Sequence, residues 1–194
     1  MMTSDPADDL QGRAGPIELL VLDVDGVLTD GVIAVDDNGV ETKHYHVRDG
    51  AGIALWRRAG KRVAIVSGRS ARCVEVRAAE LGIDPVIQGA SDKSVPFLAL
   101  LEGFGLEPRQ ACFMGDDLAD LPAMALAGLA ACPADAAAEV VASAHYVARA
   151  PGGRGAVREL VEFLLGRQGP GGSSPSPDAP GLDPGGIMEM ALAT

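Results

Sequence analysis

Four short runs of this chain carry side chains whose types and spacing suit phosphoryl transfer. The first, Asp23-Val24-Asp25-Gly26-Val27-Leu28-Thr29-Asp30-Gly31, follows directly on the apolar residues 17–22. Two carboxylates two positions apart, where a strand gives way to a loop, offer a nucleophile and an acid–base partner side by side. Gly26 lets the backbone turn and approach a ligand. The second run, Ser67-Gly68-Arg69, ends the apolar residues 63–66. A hydroxyl and backbone N–H groups at a helix start make a phosphate cradle. The third is Lys93, opening a helix after Gly89-Ala90-Ser91-Asp92. The fourth is Gly115-Asp116-Asp117-Leu118-Ala119-Asp120, after the apolar residues 111–114. Its three carboxylates repel one another unless a cation compensates, and such an oxygen-only set suits Mg²⁺. Each run alone has a plainer reading as a cap, a turn or a solvated side chain. Four together, each at the end of a strand, are far more specific.

The elements that must position these groups alternate between strand and helix. Strands are expected at 17–22, 63–66, 86–88, 111–114, 129–132 and 146–147, as short apolar runs between turn signals. Helices are expected at 52–59, 70–81 with Gly82 as its stop, 93–104, 122–127, 134–143 and 156–165. The pattern implies βαβ units: an α/β, Rossmann-like, mostly parallel sheet flanked by helices, with ligands beyond the carboxyl ends of the strands. Residues 32–35 and 41–47 flank Asp36-Asp37-Asn38-Gly39, and the Asn-Gly pair predicts a hairpin whose turn residues both take positive φ. Residues 1–16 read as a flexible N-terminus, 17–165 as the working domain, and the Gly/Pro/Ser-rich 166–194 as a disordered tail closed by a short apolar piece, 187–193.

The chain has 194 residues, enough for one domain with tails, and 47% of them are apolar. Its net charge of −11, without a basic patch, argues against nucleic acid or an anionic membrane as partner. The three cysteines, Cys73, Cys112 and Cys132, show neither metal-ligand spacing nor an even count and read as reduced thiols of a cytoplasmic protein. Residues 1–15 are acidic rather than apolar, unlike a signal peptide, and no apolar run approaches the ~18 residues of a membrane span.

The order of the four runs, acid pair, hydroxyl, lysine and acid cluster, resembles the haloacid dehalogenase-like hydrolase superfamily, whose phosphatases carry D-x-D-G-x, Ser or Thr, Lys and G-D-D-x-x-D motifs. The likeness covers residues 17–165. Within it, residues 23–31, Val47-Arg48-Asp49-Gly50, Ser67-Gly68-Arg69, residues 115–122 and Gly152-Gly153-Arg154-Gly155-Ala156-Val157-Arg158-Glu159 resemble the 3-deoxy-D-manno-octulosonate 8-phosphate phosphatase family, which serves lipopolysaccharide precursor synthesis. Phosphatases of nine-carbon keto sugar acids share the same short form.

The resemblance implies a phosphoaspartate on Asp23, with Asp25 as general acid and then base. It implies Mg²⁺ held by Asp23, the backbone carbonyl of Asp25, and Asp116, with Ser67 and Lys93 on the phosphoryl oxygens and Asp117 and Asp120 orienting water and Lys93. His46, Arg48, Asp49, Gly50, Arg69, Arg77 and Lys93 become substrate-binding candidates, with Lys43 a weaker one. Ala54 stands where relatives carry a longer polar residue. Residues 31–49 have room only for a hairpin and not for a large cap domain, so the resemblance implies a homotetramer in which neighbouring hairpins cover each other's sites over a small phosphorylated sugar acid. Gly152-Gly153-Arg154 either approaches the substrate or turns the chain. A phospho-accepting receiver domain has the acceptor Asp after a middle strand and its Lys late, whereas Lys93 precedes Asp116 here; the intact acid pair gives no support to an inactive scaffold. Another keto sugar acid phosphate remains the alternative substrate.

Overall fold

The computed structural model describes residues 6–168. In chain order its elements are α1 (Pro6–Ala14), β1 (Leu19–Leu22), β2 (Ala34–Val35), β3 (Glu41–Thr42), α2 (Val47–Arg58), β4 (Arg62–Val66), α3 (Arg72–Leu81), β5 (Val86–Ile87), α4 (Ser94–Phe104), β6 (Ala111–Met114), α5 (Leu121–Leu126), β7 (Leu129–Cys132), α6 (Ala138–Ser143), β8 (Tyr146–Val147) and α7 (Ala156–Gln168). Six strands form one sheet in the order β5-β4-β1-β6-β7-β8, every pair parallel, and β2 and β3 form a separate antiparallel hairpin. The α/β reading, the hairpin after the first strand and the lack of a large cap are as expected among the described residues.

The central strands are buried on both faces, which is why they read as unbroken apolar runs. Their side chains alternate between two cores. Leu20, Leu22, Val63, Ile65 and Met114 pack with Ile53 and Trp56 of α2, Val74 of α3 and Leu160 of α7. Leu19, Val21, Ala64, Val66 and Phe113 pack on the other face with Phe97 and Leu101 of α4, Met124 of α5 and Val140 of α6. In the parallel register Leu22 pairs with Ile65 on one side and Met114 on the other. The chain therefore leaves β1, β4 and β6 nearly level, delivering Asp23, Ser67 and Asp116 to one rim.

Five expectations need correction. Part of the segment expected to be loose is helix α1: Ala14 is buried, Arg13 donates to the Gly128 carbonyl, and the Gln168 amide donates to the carbonyls of Ala14 and Ile17. Helix α2 starts at Val47 and not at 52, so the hairpin strand ends at Thr42 and Arg48, Asp49 and Gly50 belong to a helix. Its two glycines are packing positions: a Cβ on Gly52 would lie 2.9 Å from Arg158 Cα, and one on Gly50 2.6 Å from Arg77 Nη2. The hairpin turn is also different. Only Gly39 takes positive φ, and Asp36 closes the turn by accepting from the N–H groups of Asn38 and Val40. Helix α3 likewise begins at Arg72, so residues 67–71 form a loop, and α6 begins at Ala138. The apolar piece at 187–193 lies outside the described residues.

Candidate active site

The four runs meet at the carboxyl ends of β1, β4, β5 and β6, which are neighbours in the sheet. There Asp23, Asp25, Ser67, Lys93 and Asp116 line one cleft of about 280 Å³. The loop after β1 is drawn tight by buried Thr29, whose Oγ1 donates to the Val24 carbonyl and accepts from the N–H groups of Gly26 and Gly31. Gly26 takes φ +91°, and the Asp116 carboxylate occupies the space of its missing side chain. From behind, Gly153 N–H donates to the Val27 carbonyl and Arg154 pairs with Asp30 at 3.1 Å. The Gly152-Gly153-Arg154 segment thus buttresses the loop.

Lys93 is buried and shared between two acids. Its Nζ lies 2.6 Å from Asp120 Oδ1 and 2.9 Å from Asp23 Oδ1. The other oxygen of Asp120 accepts the N–H groups of Asp116 at 3.0 Å and Asp117 at 3.1 Å. Asp120 is therefore fully engaged, with its Oδ1 accepting from Lys93 Nζ. Asp117, exposed, caps the short 3₁₀ turn by accepting from Leu118 N–H at 2.7 Å.

Asp23 and Asp116 are left under-satisfied. Asp23 Oδ1 meets Lys93 as an ion pair but without an aligned hydrogen bond, and Asp116 Oδ1 is buried with no partner. Burial, reinforced by the charge of Asp120 and partly offset by Lys93, raises the Asp23 carboxyl to about 6. Burial again, with repulsion from Asp23 and Asp120, raises Asp116 to about 8. Lys93 is held above its usual value: burial opposes its charge, but Asp23 and Asp120 outweigh that. Oxygens of Asp23, Asp116 and Asp120 lie within 4.8 Å of one another. Two repelling, under-coordinated carboxylates fit a small divalent cation, which offsets the repulsion and supplies the missing partner.

On the hairpin side of the cleft Asp25 meets Lys43 through Oδ1 and Arg69 through Oδ2, the latter at 3.6 Å. Glu41 holds the same two cations, Lys43 at 2.7 Å and Arg69 at 2.8 Å. Ser67 is buried with its hydroxyl oxygen 3.4 Å from Arg69 N–H. The other substrate candidates do not reach this cleft within one chain. His46 caps α2 by accepting Arg48 N–H. Arg48 is exposed beside Arg149, Arg154 and Arg158. Asp49 is buried, and its two oxygens accept Gly155 N–H and Arg158 N–H at 3.0 Å each, capping α7. Arg77 pairs with Glu80, lies over the Tyr45 ring and shares an apolar groove with Val40, Val47 and Val76. Sequence reasoning missed Glu41 altogether. Its signal was the Glu-x-Lys spacing at the end of β3, where extended backbone puts alternate side chains on one face.

The 3-deoxy-D-manno-octulosonate 8-phosphate phosphatase of Escherichia coli strain B is 47% identical to this chain over 161 residues, 83% of this chain and 86% of the relative. The chain belongs to the 3-deoxy-D-manno-octulosonate 8-phosphate phosphatase family of haloacid dehalogenase-like hydrolases. The general description of haloacid dehalogenase-like hydrolases matches residues 40–128. The crystal structure of the Yersinia pestis phosphatase superposes with a TM-score of 0.82 at 46% identity, covering 83% of this chain and 87% of that one. The Moraxella catarrhalis phosphatase, solved with magnesium ion, phosphate ion and a KDO molecule, gives 0.81 at 38% identity, covering 83% and 92%. As a member of this phosphatase family the chain is a phosphoric monoester hydrolase. No described helix is long and apolar enough to cross a membrane.

Proposed function

We propose that this chain is a Mg²⁺-dependent phosphatase that hydrolyses 3-deoxy-D-manno-octulosonate 8-phosphate to the free sugar acid and phosphate in lipopolysaccharide precursor synthesis, in the cytoplasm. The observation that carries the chemistry is the pairing of under-satisfied Asp23 and Asp116 across Gly26, with Lys93 alongside. Asp23 attacks phosphorus, forming an aspartyl P–O bond as the P–O bond to the sugar breaks, and Asp25 gives its proton to the departing sugar oxygen. Water then attacks the phosphoaspartate, losing a proton to Asp25 and freeing Asp23. Lys93 and the Ser67 hydroxyl face the phosphoryl oxygens as charge spreads over them. Asp23, the Asp25 carbonyl and Asp116 would hold Mg²⁺, whose charge offsets the repulsion between nucleophile and phosphoryl group.

Substrate grip needs more than one chain supplies, because Arg77 lies in the groove and away from the carboxylates. Val32, Ile33, Val35, Val40 and Val47, on and beside the hairpin, are exposed. An apolar surface of this kind supports a homotetramer in which a neighbour's hairpin and arginines close each site, a carboxylate being well matched to an arginine fork. The test is phosphate release from a panel of phosphorylated sugars with Mg²⁺ and with chelator, together with light scattering. Preference for the eight-carbon sugar acid, loss with chelator and a tetrameric mass are expected. A preference for a neutral hexose phosphate, or an active monomer, would overturn the corresponding part.

A further inference from the structure

Lys43 stands one residue past β3, and its side chain is only 2% exposed. Among the described residues it and Lys93 are the buried lysines. Lys93 has an evident task at the phosphoryl site; Lys43 has none in the reaction as written above. Its Nζ meets Asp25 Oδ1 and, at 2.7 Å, Glu41 Oε1. Arg69 closes the circuit, 2.8 Å from Glu41 Oε2 and 3.6 Å from Asp25 Oδ2. Two cations and two carboxylates alternate around this ring, drawn from the loop after β1, the hairpin, and the loop after β4.

Burying an ammonium is costly unless it is paired, and replacing such pairs by apolar groups often costs nothing. Anchoring a two-residue strand therefore does not require a charged ring. What an apolar anchor cannot do is aim a carboxylate. Asp23 is turned to Lys93 and Asp25 to Lys43, so the two acids of one motif are held apart by different lysines.

We infer that Lys43 is a positioning residue for this phosphatase, acting through Asp25: it holds that carboxylate on the hairpin side of the cleft, where the leaving sugar oxygen and later the attacking water are met, with Glu41 and Arg69 fixing Lys43 in turn. The inference rests on the phosphatase reading above. It makes the hairpin a working part of the catalytic centre as well as a cover, because displacing β3 displaces Asp25.

The experiment compares Lys43→Met, Lys43→Arg and Asp25→Asn, singly and with Lys43→Met combined with Asp25→Asn, in the full chain with Mg²⁺. Two substrates are used: the eight-carbon sugar acid phosphate, whose leaving alkoxide needs a proton, and p-nitrophenyl phosphate, whose phenolate does not. Lys43→Met is expected to lower kcat for the sugar phosphate about 100-fold with KM changed less than about threefold, the range of acid–base assistance. The single-turnover burst of nitrophenolate is expected to fall less than about fivefold. In the Asp25→Asn background Lys43→Met adds no further loss, Mg²⁺ affinity by calorimetry is unchanged, and Lys43→Arg recovers part of the rate. If Lys43→Met does not fold, as judged by circular dichroism, Lys43→Gln replaces it, since its amide can still bond a carboxylate without charge. An unchanged kcat, or equal losses for both substrates that add to Asp25→Asn, would overturn the inference. A wild-type protein inactive on both substrates would instead overturn the phosphatase reading, and the role of Lys43 with it.

Discussion

Gly26 and Asp116, ninety positions apart in the chain, are so closely apposed that a Cβ on residue 26 would lie 1.9 Å from Asp116 Oδ2. The glycine also takes φ +91°, a conformation that strains any side chain. Gly26→Ala must push Asp116 away from Asp23 or distort the loop that Thr29 ties. We expect phosphatase activity to fall at least about 100-fold, well beyond what roughly 1–3 kcal/mol of backbone strain would do to stability. Steady-state kinetics beside a thermal melt would check this.

Asp120 has both oxygens committed and is fully buried. In Asp120→Asn one side-chain oxygen can still accept the Asp116 and Asp117 N–H groups, but the amide nitrogen then faces the Lys93 ammonium. Breaking one side of a buried ion pair costs roughly 3–5 kcal/mol. Urea unfolding should show a loss of that order, and the misaimed Lys93 should lower kcat more than it raises KM.

Asp49 offers the opposite contrast. Its carboxylate caps α7 through Gly155 and Arg158 N–H, away from the cleft. Asp49→Ala is expected to cost about 1–2 kcal/mol, as loss of a helix cap does. KM for the sugar phosphate should stay within about twofold per folded molecule. A large rise in KM without a stability loss would mean that Asp49 contacts substrate after all.

The raised carboxyls set a pH dependence whose sign is fixed. A carboxyl with a higher value folded than unfolded binds its proton more tightly in the native state, so its contribution is full below the unfolded value and lost as pH rises through the folded one. For Asp23 the window runs from 3.8 to about 6, and for Asp116 from 3.8 to about 8. Metal-free protein should therefore melt at progressively lower temperature between pH 4 and about 8, apart from other groups. Saturating Mg²⁺ should remove most of this slope, since a cation favours the ionised acids, and Mg²⁺ affinity should rise over the same range. Melts at several pH values with Mg²⁺ and with chelator would check both.

The nucleophile strand and the acid cluster were legible because β1, β4 and β6 are buried on both faces and leave unbroken apolar runs, which give way to Asp23, Ser67 and Gly115-Asp116. The start of α2 was hidden for a physical reason. Val47-Arg48-Asp49-Gly50 has poor helix propensity, and glycine inside a helix costs about 1 kcal/mol. Tertiary packing overrides this: Gly50 admits Arg77, Gly52 admits Arg158, and Asp49 is spent on capping α7. Helix α1 was hidden because what fixes it, the Gly128 carbonyl and the Gln168 amide, is remote in sequence. The ring around Asp25 is a tertiary arrangement as well: Glu41, Lys43 and Arg69 look like ordinary surface charges until the hairpin folds over the loop.

The proposed chemistry requires Asp23 and Asp116 to share one divalent cation. Crystals soaked in Mn²⁺, examined by anomalous scattering, test it directly. A single strong peak is expected about 2.1 Å from one oxygen of each carboxylate and from the Asp25 carbonyl. A peak bound elsewhere, with those two carboxylates unligated, would contradict it.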